Sequence, residues 1–216
     1  DFDYLHKKQS GGSGQYGRVI GSIEPIDEHE KDEQGDRKMY EFKNNLIGNN
    51  IPPQFVTAIE KGFKEATEKG PLLGHRVQGV RVVLTDGAAH AVDSNEVAFK
   101  LAAKGAFKQA MDGDAAAILE PIMAVEVQAP DEFQGNVVAG LNKRKGLIMN
   151  TENVDGYVVI NAEVPLANMF GYSTDLRSTT QGKGEFTMEY NRHSPVMKNV
   201  QEELIAEAKK KREAEK

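Results

Sequence analysis

Apolar positions recur along this chain at two spacings, and the contrast divides it into strands and helices. Arg18 to Ile26 alternates through Val19 and Ile23 and predicts a strand; residues 39 to 47 predict a second. Phe55, Ile59 and Phe63 then fall at i, i+4 and i+8, with Ala58, Gly62 and Ala66 beside them. That stripe predicts a helix opened by Pro52-Pro53 and closed by Gly70-Pro71. His75 to Thr85 alternates Val77, Gly79, Arg81 and Val83 and reads as a strand. Asp93 with Glu96 three residues later has the form of a capping box. The helix it announces carries Val97, Leu101, Ala102 and Phe107 and ends at Asp112-Gly113-Asp114.

The second half has another rhythm. Ile118 to Gln128 predicts a strand, and Pro130 opens a helix with Phe133, Val137, Val138 and Leu141, with Gly146 at its C′ position. Leu147 to Asn150 and Tyr157 to Val164 predict strands. Pro165 opens a helix with Met169, Phe170 and Leu176 that stops near Gly182, and Glu185 to Tyr190 is the last strand. The order β-α-β-β-α-β is the ferredoxin-like pattern. From Gln201 onward a frayed helix ends in Lys209-Lys210-Lys211-Arg212. The chain is thus α+β, with strands-helix-strand-helix over 1–115, a ferredoxin-like domain over 116–195, and a helical tail over 196–216. Asp27 to Glu41 has no apolar period and carries many carboxylates, as expected of a mobile hairpin connection.

Length agrees with one large or two small domains: 216 residues against roughly 150 per domain. The absence of cysteine excludes disulfides, thiolate metal sites and cysteine nucleophiles. No apolar run approaches the ~20 residues of a membrane span, and the opening Asp-Phe-Asp-Tyr-Leu-His-Lys-Lys is not a secretory signal. It also lacks an initiator Met, which points to a fragment or processed product. With 27 basic and 33 acidic side chains the net charge is -6. Nucleic-acid-binding domains are often basic overall, so RNA binding here has to come from local patches.

Such a patch surrounds Gly12-Ser13-Gly14-Gln15-Tyr16-Gly17, a G-x-G-x-x-G match. The dinucleotide reading requires a following helix, but a strand follows. The kinase reading lacks its lysine strand, catalytic loop and Asp-Phe-Gly. The plain alternative is a flexible loop needing positive φ. It accounts for the glycines but not for Lys7, Lys8, Gln9, Ser10, Gln15, Tyr16 and Arg18 around them. Glycines that permit close approach, with cations, amides and an aromatic, suit an irregular RNA surface. No P-loop pattern is present. His90-x-x-Asp93-x-x-Glu96 has metal-site or acid–base chemistry, yet helix capping accounts for both carboxylates. His90 is then a loop imidazole suited to a phosphate or 2′-hydroxyl. Lys143-Arg144-Lys145 is a basic run at a helix end, where the dipole favours cations and where phosphate contact is also compatible. Arg177 has salt-bridge partners at hand in Asp175 or Glu185.

His6 to Gly17 strongly resembles the first tip loop of the fourth domain of translation elongation factor G, and Asp86 to Glu96 resembles its second. Leu119-Glu120-Pro121-Ile122-Met123 is similar to the opening of the family's fifth domain, and Met169 to Ser178 to a later signature. Asp93-Ser94-Asn95-Glu96 and Phe133 to Gly140 look most like the mitochondrial branch. The resemblance reaches about Tyr190 and leaves the acidic segment 27–38 and the tail past Val196 outside it. It implies a first domain sharing the fold of a small-subunit ribosomal protein and a ferredoxin-like second domain. It also implies a non-catalytic arm of a translational GTPase that promotes tRNA–mRNA translocation. Its partners would be the ribosomal RNA of both subunits and the tRNA–mRNA in the decoding site. The tip residues would be Lys7, Lys8, Gln9, Ser10, Gly11, Gly12, Ser13, Gly14, Gln15, Tyr16, Arg18 and His90. In the second domain Lys143, Arg144, Lys145 and Arg177 would meet RNA. The chain would act as a monomer in the mitochondrial matrix, or otherwise the cytoplasm, with no membrane and no metal or cofactor of its own. GTP and Mg would belong to a domain this chain lacks. The alternatives are a ribosome-recycling version of the factor, or a nucleotide- or metal-binding enzyme using the glycine-rich loop or His90.

Overall fold

The computed structural model describes residues 1–215 and resolves them into two compact units, residues 1–116 with 203–215, and Ala117–Glu202. The first unit holds β1 (Phe2–Lys8), β2 (Gln15–Pro25), β3 (Tyr40–Asn44), α1 (Val56–Thr67), β4 (Val80–Ala88) and α2 (Glu96–Ala110). Its sheet runs β1-β2-β4-β3, antiparallel except for the parallel β3–β4 pair. The two helices lie against each other and α2 also meets β1 and β2. Phe2, Val19, Ile59, Phe63, Val82, Leu84 and Phe99 are buried between them.

Three sequence expectations change here. β1 is an additional strand: only Phe2 of its residues is fully buried, and its polar end has the composition of a loop. The strand expected from His75 begins at Val80. Segment 27–41 is not a mobile hairpin connection, because β2 and β3 are not neighbours: β4 lies between them. Arg81 on β4 staples the segment down, with Nη2 donating to both carboxylate oxygens of Glu30 at 2.6 and 2.7 Å and Nε to Glu41. Lys38 adds bonds to Glu30 and Glu41 at 3.2 and 3.1 Å. The Arg81 guanidinium, ahead of Lys38, holds both carboxyl groups below the usual glutamate range.

The helix interface is set by small residues. α2 buries Ala98, Phe99, Ala102, Ala103, Ala106 and Phe107, whereas Val97 and Leu101, expected on the core side, are exposed. Helices approach this closely only where side chains are short. A Cβ on Gly62 would lie 2.7 Å from the Lys100 carbonyl oxygen, and one on Gly105 would lie 2.2 Å from the Tyr4 ring. The cap of α2 is also different: Asn95, not Asp93, is the N-cap, its Oδ1 accepting from the Ala98 N–H at 2.7 Å. Glu65 on α1 bridges Lys100 and Lys104 on α2, at 2.7 and 2.8 Å.

The second unit has the expected order: β5 (Leu119–Pro130), α3 (Gln134–Lys143), β6 (Leu147–Val154), β7 (Tyr157–Pro165), α4 (Tyr172–Thr179) and β8 (Glu185–Pro195). Its antiparallel sheet is ordered β6-β7-β5-β8, the ferredoxin-like arrangement. Val125, Val127, Val158, Ile160, Val137 and Leu141 form its core. Phe170, expected to pack, is exposed, and α4 starts only at Tyr172, behind a left-handed Gly171. Lys145, not Gly146, takes the left-handed conformation after α3. Gly146 is required instead by contact, its N–H donating to the Leu141 carbonyl at 2.9 Å where a Cβ would collide. α5 begins at Lys198, earlier than expected, and runs to Ala214 without a buried residue.

Two outcomes follow from the α1–α2 contact. Gly62→Ala forces a methyl against the Lys100 backbone and should cost about 1–3 kcal/mol, read as a lowered thermal midpoint. The Glu65 carboxyl is held at about 2 against an ordinary 4.5, chiefly by Lys100 and then Lys104. A depressed carboxyl stabilises the fold above its unfolded value and loses that contribution as pH falls through the folded one. Chemical denaturation should therefore show wild type more stable than Glu65→Gln at pH 7, with the gap closing between pH 4.5 and 2.

Candidate nucleic-acid interface

β1 and β2 pair from Phe2↔Gly21 to Lys8↔Gln15, which leaves Gln9 to Gly14 as the turn of a hairpin. Strands on both sides of the glycines exclude the strand–loop–helix cradle of a dinucleotide site. Gly11 is left-handed at φ +61, as the turn requires. Gly14 serves a different purpose: a Cβ there would lie 2.8 Å from the Asp93 carboxylate, so a larger residue would push that side chain aside where the hairpin meets the second loop. Lys7, Lys8, Gln9, Ser10, Gly12 and Ser13 are exposed.

The second loop, Ala89 to Asn95, is locked to the hairpin through Tyr16. The Tyr16 N–H donates to the Asp93 carbonyl at 2.9 Å, and the Ser94 hydroxyl donates to the Tyr16 carbonyl at 2.8 Å. Ser94 Oγ also accepts from the His90 N–H at 2.7 Å. The His90 ring is oriented from inside its own loop: Nδ1 accepts from the N–H groups of Val92 and Asp93, at 3.3 Å each. Asp93 Oδ2 is 3.6 Å from the same nitrogen, an ion pair only if Nδ1 is protonated. With Nδ1 accepting these two bonds, Nε2–H is the remaining donor of the ring. The Tyr16 and His90 rings lie 5.9 Å apart.

The predicted site residues separate into presented and engaged groups. Gln15 Oε1 accepts from His6 Nε2 at 2.8 Å, a cross-strand bond that fixes its amide. Arg18 forms a two-pronged pair with Asp3, Nε–Oδ1 2.8 Å and Nη2–Oδ2 2.6 Å, which lowers the Asp3 carboxyl. Its charge is neutralised within the sheet. Asp93 and Ser94 lie within the second loop motif, but nothing in the sequence assigns them the coupling of the two loops that they provide. No three His, Asp or Glu side chains converge as a metal site among the described residues.

In the second unit, Arg144 is a brace. Its Nη1 donates to the carbonyls of Asn168 and Phe170 at 2.6 and 2.9 Å, Nη2 binds Asp175, and the guanidinium lies over the Tyr172 ring at 5.2 Å. Asn168 Nδ2 returns a bond to the Arg144 carbonyl at 3.1 Å. Burial pushes the Tyr172 phenol up to about 12 against the opposing pull of Arg144. Lys143, Lys145 and Arg177 remain exposed, and Arg177 forms an ion pair with neither expected partner among the described residues: Asp175 is taken by Arg144 and Glu185 is not paired with it.

The family model described as Elongation factor G, domain IV matches residues 1–113, and that described as Elongation factor G C-terminus matches residues 117–204. Both the acidic segment and the start of the tail therefore fall inside the match. The chain is 56% identical over 207 residues to "Elongation factor G, mitochondrial" of Culex quinquefasciatus, covering 96% of this chain and 27% of that protein. It is 56% identical over 205 residues to "Elongation factor G-1, mitochondrial" of Arabidopsis thaliana, covering 95% and 26%. The chain thus spans about a quarter of the length of the curated relatives it matches. A crystal structure from Thermus thermophilus superposes with a TM-score of 0.82 at 36% identity, over 96% of this chain and 30% of that one. With two adjoining domain models accounting for nearly every residue, the chain belongs to the elongation factor G family and carries its domain IV and C-terminal domain.

Proposed function

We propose that this chain is the ribosome-directed arm of a mitochondrial elongation factor G, and that its hairpin turn and second loop enter the decoding site to promote tRNA–mRNA translocation. The observation that carries the reading is the Tyr16 junction, which presents Gln9 to Gly14 and His90 as one surface. That surface has the composition an RNA groove requires. Exposed glycines admit close approach, Gln9, Ser10 and His90 Nε2–H offer hydrogen bonds, and Lys7 and Lys8 supply phosphate attraction that weakens with salt. Membership of the family and the names of the relatives support elongation over recycling, and a mitochondrial compartment. In this reading the arm works as a monomer and needs no cofactor of its own. GTP and Mg are handled elsewhere in the complete factor, and the RNA of both ribosomal subunits and the tRNA–mRNA are its partners.

The test is made on the complete factor. His90→Ala removes one oriented donor, worth about tenfold in rate if its bond forms only as the RNA moves. Single-round translocation should slow by about that factor while ribosome-stimulated GTP hydrolysis stays within about twofold. Equal loss of both activities would refute the arm role for His90, and an effect confined to subunit splitting would transfer the chain to recycling.

A further inference from the structure

The segment linking β3 to α1 belongs to no sequence motif, yet it faces the same cleft as His90. Asn49, Asn50 and Gln54 line this cleft together with His90, with Phe55 and Ala89 among its apolar lining. Its volume, about 720 Å3, lies in the ~300–1,000 Å3 range of small-ligand sites. We propose that this cleft receives one unpaired nucleobase, with its ribose, from the RNA that the tip engages. The inference rests on the function proposed above and extends its contact surface to a third loop, residues 45–54.

Three features select a base over a phosphate or a cation. Three amides and an imidazole offer donors and acceptors without formal charge, the complement of a nucleobase edge. Neither Lys nor Arg lines the cleft. The nearby carboxylate, Asp86, is already satisfied, accepting from Asn50 Nδ2 at 3.0 Å and from the Gly87 N–H at 2.8 Å.

The walls are set in advance, so little ordering cost falls on binding. Asn50 is pinned by Asp86, Ile51 beside it is buried, and the Asn45 N–H is tied to the Leu84 carbonyl at 2.8 Å. Phe55 stacks on Phe99 with ring centroids 5.0 Å apart. The Asn49 and Gln54 side chains, by contrast, are exposed and make no hydrogen bond among the described residues. Ring contact between His90 and Tyr16 joins this cleft to the hairpin, which makes RNA the fitting occupant rather than a free nucleoside.

The experiment uses the complete factor on ribosomes programmed with mRNA and tRNA. In one arm, Ile47, 89% exposed in the same loop, is replaced by p-benzoylphenylalanine and irradiated before translocation. Cross-linking to RNA at an unpaired nucleotide is expected; cross-links to protein alone, or spread along paired RNA, overturn the proposal. In the second arm, Asn49→Ala with Gln54→Ala should slow single-round translocation about tenfold, with GTP hydrolysis and the thermal midpoint unchanged. Unchanged translocation in this variant while His90→Ala slows it overturns the cleft and leaves the tip-loop function standing. Unchanged translocation in both variants overturns both readings. If the double variant loses thermal stability, the cross-linking arm decides.

Discussion

Tyr16 commits both of its backbone polar groups to the loop before α2, and the functional end of the first unit depends on that junction. A strand residue normally satisfies its N–H and carbonyl in the ladder. Here two bonds to Asp93 and Ser94 replace part of it, and two loops far apart in sequence become one surface. The junction explains the residues around it. A side chain at position 14 would displace the Asp93 carboxylate, and Ser94 carries a hydroxyl that serves both the Tyr16 carbonyl and the His90 N–H. His90 is in turn held by its own loop's amides. Removing any member leaves a buried or half-buried polar group unmatched, which costs more than the bond itself.

The cations divide between those that hold the fold, Lys38, Lys100 and Lys104 among them, and those that face solvent, Arg177 among them. Arg18, Arg81 and Arg144 turn their planar forks inward, onto Asp3, onto Glu30 and Glu41, and onto two carbonyls with Asp175. Lys7, Lys8, Lys143 and Lys145 stay in solvent. A fork with five donors can close several acceptors at a fixed geometry, whereas an ammonium on a flexible stem keeps its charge available. The basic run at 143–145 therefore contains a structural member between two exposed ones. Arg144 fixes the backbone that carries Phe170, 80% exposed, so its loss would disturb the loop before α4.

Elements with large apolar residues at regular spacing are legible from the sequence: the Phe55–Ile59–Phe63 stripe, and the whole ferredoxin-like order. Where the fold relies on small residues, hydrophobicity points the wrong way. α2 buries alanines against Gly62 and leaves Val97 and Leu101 outside, because packing distance, not side-chain size, decides its face. β1 is hidden because its polar half belongs to the functional hairpin. At the site, the glycines, amides and His90 are visible as a composition. Their pairing is not, because Asp3–Arg18, Arg144–Asp175 and Tyr16–Ser94 are set by tertiary register. The amide loop at 45–54 carries no signal at all, since asparagines in a connection read as ordinary turn chemistry.

The stapled acidic segment and the hairpin turn occupy opposite ends of β2, which spans 11 residues and so roughly 35 Å. From Tyr4 to Ile23 the hairpin has no carboxylate, while six acidic residues against three basic ones lie between Asp27 and Lys38. The first unit is therefore polarised along its longest strand, within a chain that is net negative as a whole. In the field of a polyanion such a body experiences a torque even though its net charge alone is repelled. One end is drawn in and the other repelled, so that orientation is selected before any hydrogen bond is made.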